Sequence, residues 1–141
     1  MAATLSLLNV ELFLISLILI MFLDYIFLGK VAYKFYMREL GSIARLEHHE
    51  FKPRKGFAFA VYLVLAAGTI ALVLPTLAAK TLFMSFVSGA MFGFVVYSVY
   101  DMTNYAILSR WSFKLSLIDI AWGTLLCGFV ALVLKIISGI I

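Results

Sequence analysis

Residues 89 to 104 read Gly89-Ala90-Met91-Phe92-Gly93-Phe94-Val95-Val96-Tyr97-Ser98-Val99-Tyr100-Asp101-Met102-Thr103-Asn104. At helical spacing Gly89, Gly93, Tyr97, Asp101 and Asn104 fall on one stripe, because residues three and four apart stack along a single face. Half of the stripe is small and half is polar. The flanks are so apolar that the segment must lie inside a membrane, where a carboxyl group is costly and therefore informative.

The whole chain has the same character. Its 141 residues are 65% hydrophobic and 13% charged, with a mean hydropathy of +1.14. Water-soluble domains are about half apolar and a quarter charged. The composition therefore specifies an integral membrane protein with room for one domain, residues 1–141. The formal charge of +4 does not point to nucleic acid, since the basic residues bracket apolar spans and cover no soluble face. Cys127 is the single cysteine, so no intrachain disulfide is possible and it reads as a small packing residue.

Four apolar stretches reach the roughly 20 residues that cross a bilayer core. They cover about residues 6–28, 56–75, 82–108 and 113–137. The first reads as a retained span, since a cleavable signal would not be expected with Glu11 preceding its core and Asp24-Tyr25 near its end. The expected fold is an all-α membrane protein, a four-transmembrane-helix bundle. Between helices 1 and 2 lies a basic loop, residues 30–55. There Lys34, Arg38 and Arg45 recur on one face and Tyr33, Met37, Leu40 and Ala44 on another, the pattern of an amphipathic helix at headgroup level. His48 and His49 in this loop have no further His or second Cys with which to complete a metal shell, so they read as solvated and no metal site is expected.

Of the eleven Lys and Arg residues, nine fall in or beside loops 30–55 and 109–114; only Lys80 and Lys135 lie at the other end. The positive-inside rule then places both termini outside and those two loops in the cytoplasm. Counting ~1.5 Å of rise per residue from the loop ends puts Asp24, Asp101 and Asp119 at one level, roughly 6 to 11 Å below the cytoplasmic boundary. Tyr62 reaches the same layer, and Tyr25, Tyr97, Tyr100, Asn104 and Trp122 lie next to it. An acid facing lipid costs about 2 to 3 kcal/mol, so the three should face inward. Three carboxyls this close in a low-dielectric setting cannot all be ionised, and at least one should hold a proton.

The candidate ligand- or proton-binding residues are thus Asp24, Tyr62, Tyr97, Tyr100, Asp101, Asn104, Asp119 and Trp122. Gly89 and Gly93, a small-xxx-small pair, and Gly123 are packing candidates. Three functions fit. One is a binding or transport module for a cation, a proton or a lipid headgroup. Another is a structural or assembly subunit of a larger membrane complex, its polar groups serving as glue between helices. The last is a membrane enzyme or enzyme partner in lipid modification, with an acid as general base. No catalytic pair and no cofactor can be named. The bilayer is the one certain partner, with a homo-oligomer or larger complex expected.

Leu23-Asp24, Leu28-Gly29, Phe35-Tyr36, Leu40-Gly41, Pro75, Gly89-Ala90-x-Phe92-Gly93, Tyr97-x-x-Tyr100-Asp101-x-Thr103-Asn104, Trp111 and Asp119-x-x-Trp122-Gly123 resemble the bacterial membrane-protein family of domain of unknown function 2177. The resemblance covers nearly the whole chain. It implies four transmembrane helices in a bacterial cytoplasmic (inner) membrane, and no assigned activity, cofactor or substrate. Tyr25-Ile26 depart from the Trp that often follows the first-span Asp, and the loop with His48 and His49 is not a family feature.

Overall fold

In a computed structural model, residues 2–139 are described; residues 1, 140 and 141, the ends of the domain expected over 1–141, lie outside the described residues. Helix α1 covers Ala2–Ile26 and runs on as a wide π turn, Phe27–Val31. Helix α2 is short, Tyr33–Leu40. Helix α3, Lys55–Gly68, continues through a π turn, Thr69–Val73, and a 3-10 turn, Leu74–Thr76. Helices α4, Leu82–Ile107, and α5, Phe113–Ser138, complete the chain. Four segments, Leu7–Val31, Lys55–Thr76, Leu82–Ile107 and Phe113–Ser138, are long and apolar enough to cross a membrane.

The ends of these helices follow from local chemistry. Thr81 and Ser112 sit in extended conformation ahead of α4 and α5, and their hydroxyls accept the amides of Met84 and Leu115, each satisfying one orphan donor of a helix start. Pro75 has no amide to donate and its ring would crowd the carbonyl of Ala71. The backbone widens just ahead of it, with the amide of Leu74 reaching back to Thr69, and the helix ends one residue beyond.

The bundle is built on α4 and α5, which lie against each other along most of their length. The cause is absent side chains. A Cβ at Gly89 would collide with the Cys127 carbonyl, and one at Gly93 with the Gly123 carbonyl. On the opposite flank α1 packs on α3 and α5. Leu12, Ile20, Ala66, Val130 and Leu134, all nearly or fully inaccessible, fill the shared centre. Cys127 is a buried free thiol within this packing.

The basic loop differs from its expected form. Helix α2 stops at Leu40 because Gly41 turns left-handed, φ +47°, a conformation glycine adopts without the steric cost a Cβ would add. Arg45 and Ala44 therefore lie beyond the helix and do not extend its faces. Tyr33 and Met37 are only half-buried, and the one buried side chain of α2 is Tyr36. Beyond Gly41 the chain makes a two-residue antiparallel ladder, β1 (Leu46–Glu47) with β2 (Glu50–Phe51). His48 and His49 form its turn, both with positive φ, 49° and 65°, and both exposed, as a tight hairpin of primed type requires.

Replacing Gly93 by alanine should separate α4 from α5 and cost about 1 to 3 kcal/mol, the usual penalty for overpacking a close contact. Denaturation by SDS in mixed micelles, followed by helicity, would measure it. The same substitution at Gly56, where an added Cβ meets nothing, should be silent.

Candidate functional site

All four long helices present polar groups at one height. Asp119 lies six residues into α5, Tyr62 seven into α3, Asp101 six before the end of α4, and Asp24 seven before the end of the first span. These ends all belong to the side carrying α2 and the hairpin. At about 1.5 Å per residue the groups stand roughly 9 to 10 Å below it.

Asp24, 7% exposed, accepts a 2.7 Å hydrogen bond from the indole N–H of Trp122. That indole is held flat against Phe27 of the π turn, ring centroids 3.9 Å apart and planes within 7°. The widened turn after α1 thus sets the ring that orients the first acid. Asp119 accepts from the hydroxyl of Tyr36. Tyr36 therefore belongs to the site although it stands outside the spans, and burial together with the charge of Asp119 raises its hydroxyl far above the ordinary tyrosine range. It remains a donor.

Asp101 is 0% exposed, and neither of its oxygens completes a hydrogen bond. Its electrostatic surroundings are Asp119, Ser116 and Trp111, but Trp111 spends its N–H on Ser116 at 3.0 Å. Asn104, one turn further along α4, has its amide nitrogen buried without an acceptor. Tyr97 lies on the backbone of Gly123, where a Cβ would strike its ring. Tyr62 faces Asp24 from α3. Tyr100 is 56% exposed and meets Trp111 edge-on.

Two cavities adjoin this layer. The larger, about 650 Å³, lies between α3 and α4, with Asp24, Tyr62, Tyr97, Asp119 and Trp122 on its inner side. A second, about 420 Å³, lies under α2 against Leu40, Ile43, Leu108 and Trp111. Tyr36, Tyr100 and Asp119 line both, so the Tyr36–Asp119 contact stands in the wall dividing them. Among the described residues no three His, Cys, Asp or Glu side chains are grouped as for a metal ion.

The geometry thus assembles Asp24, Tyr62, Tyr97, Tyr100, Asp119 and Trp122 around one space, with Asp101 and Asn104 behind it. Tyr25, expected in the same layer, is instead 65% exposed, with Lys30 over its ring; it follows Asp24 directly and so points about a third of a turn away. Trp111, in the connection before α5, is half-buried and bonded to Ser116. Tyr36, Glu39, Ser112 and Ser116 escaped the reading of the sequence. The three-residue step from Tyr36 to Glu39, two polar groups on one face of α2, was the available signal.

A multi-pass helical membrane protein with a buried carboxyl and tyrosine layer is the class this arrangement defines. The family model for a predicted membrane protein, domain of unknown function 2177, matches residues 9–135, and the chain belongs to that family. No curated protein and no solved structure matches it.

The hydroxyl of Ser112 donates to Glu39 at 2.6 Å, tying α2 to the start of α5. This bond, and then Arg38, hold the Glu39 carboxyl below its ordinary range. A carboxyl depressed on folding stabilises above its unfolded pKa, and that contribution is lost as pH falls through the folded value. Amide protection in α2, the exchange rate relative to the intrinsic rate at each pH, should therefore be high at neutral pH and fall in acid. Ser112→Ala should give the low protection already at neutral pH, and Tyr36→Phe should lower protection in α2 at every pH.

Proposed function

We propose that this protein is a small binding or transport module whose carboxyl and tyrosine layer takes a cation, a proton or a lipid headgroup. The carrying observation is the cavity of about 650 Å³ with Asp24 and Asp119 on its inner side. Further support comes from Asp101, a fully buried carboxyl that completes no hydrogen bond and lies against Asp119 and Ser116. Such a group demands compensation, which an added proton or cation supplies. Transport needs two alternating openings, and a bundle of this size would provide them as a homo-oligomer or within a larger complex.

The membrane in this reading is the bacterial cytoplasmic membrane. Both termini lie outside and loops 30–55 and 109–114 in the cytoplasm, supported by the nine-to-two distribution of Lys and Arg. An alkaline phosphatase fused at the C-terminus should then be active and one inserted at His49 inactive. The opposite result reverses the orientation.

A second reading, a structural subunit, is favoured by the bonds from Trp122 to Asp24 and from Tyr36 to Asp119, which satisfy acids from within the chain. Proteoliposomes with an entrapped pH dye separate the two. Under the first, the protein dissipates an imposed gradient, or a cation or headgroup shifts the emission of Trp122 in a Trp111→Phe background, and Asp101→Asn abolishes that response in a folded protein. If neither response occurs and Asp119→Asn merely lowers abundance, the structural reading stands.

A further inference from the structure

We infer that the larger cavity seats an amphiphile entering sideways from the bilayer, whose small head is not anionic and donates hydrogen bonds to Asp24 and Asp119. This rests on the binding reading above and names its ligand class.

The walls argue for lateral entry. Helix α3 approaches α4 closely where Gly68 makes room for Phe92 and along the Thr69–Val73 turn. Toward Lys55 the two diverge, and the space between them is faced by Phe57, Val61 and Val64 of α3 and Val96 of α4. These are lipid-level side chains, Phe57 73% and Val64 71% exposed. An aliphatic chain lying there replaces hydrocarbon by hydrocarbon. Selection must come from the head.

The inner end specifies that head by charge. Asp24 accepts from Trp122 with the Tyr62 hydroxyl beside it, and Asp119 accepts from Tyr36 with Asp101 beside it; a carboxylate offers about four lone-pair positions, so each keeps room to accept from a further donor. No Lys, Arg or His is among the described residues lining the cavity, so no cation there would offset the charge of a phosphate or carboxylate head, and an ionised Asp would repel it. Depth excludes the phosphate a second time. The acids stand about 9 to 10 Å below the span ends, and a phosphate drawn to that level leaves its hydration behind. An ammonium or hydroxyl directly on a chain is small enough to sink, and it supplies donors where acceptors wait. Cavities of roughly 300 to 1,000 Å³ are the usual size for such ligands, and this one has about 650 Å³.

The test uses the full chain in phosphatidylcholine nanodiscs with Trp122 as sole tryptophan, after Trp111→Phe. Octylamine, octanol and octanoate, each brominated at mid-chain, are added as quenchers. Partition into the bilayer is normalised with Phe94→Trp in a protein lacking both native tryptophans, since Phe94 is 49% exposed on α4. Normalised quenching of Trp122 should follow amine, then alcohol, with octanoate no better than the bilayer reference. Asp24→Asn with Asp119→Asn should weaken the amine by about tenfold or more. Val64→Phe, which narrows the wall, should reduce quenching by octylamine while helicity is kept. Equal quenching by all three probes, or preference for octanoate, overturns the inference. Absence of any specific quenching while Trp122 still responds to protons or cations overturns it too, and leaves the binding reading in place.

Discussion

The close approach of α4 to α5 is the constraint on which the remaining geometry depends. With hydrogen in place of a side chain at Gly89 and Gly93, the carbonyls of Cys127 and Gly123 come up against the facing helix. Lipid offers no hydrophobic reward for joining two apolar helices, so intimate van der Waals contact has to supply the attraction. This contact fixes the height of Asp101 against Asp119, and through Gly123 it gives the ring of Tyr97 its resting place. A bulkier residue at either glycine would displace the acids relative to each other before disturbing either helix.

Against that rigid pair, the other two spans are arranged by irregularities. Both α1 and α3 widen into π turns, one at the site side and one at the far side. The first delivers Phe27 onto Trp122. The second, forced by Pro75, is where α3 stays near α4 before diverging from it. Regular helix provides the cage, and departures from it provide the orientation of the indole and the gap beside it. Such one-turn bulges recur at functional sites in helical proteins for this reason.

The spans were legible in the sequence because length and apolarity are additive along a helix: the expected 82–108 and 113–137 are found at Leu82–Ile107 and Phe113–Ser138. The common height of the three acids was legible too, since a constant rise turns residue count into depth. Direction around the helix was less so, as Tyr25 shows by pointing outward beside a buried Asp24. The role of α2 was hidden by Lys34, Arg38 and Arg45, whose periodicity suggested a helix lying flat at the surface; the left-handed Gly41 cuts that pattern short, and Tyr36 dips inward. The cavity could not be read at all, because it depends on where α3 leaves α4, and no local pattern encodes the separation of two helices.

Ser112 carries one further implication. Its oxygen accepts the amide of Leu115 at the start of α5 while its proton goes to Glu39. A single hydroxyl thus serves as both the first peg of a helix and the clasp of the short helix above it. Lifting α2 would remove the partner that orients this hydroxyl and weaken the opening turn of α5, so disturbance at the aqueous face would travel down the thread toward Asp119 by unwinding, with no need for any helix to tilt.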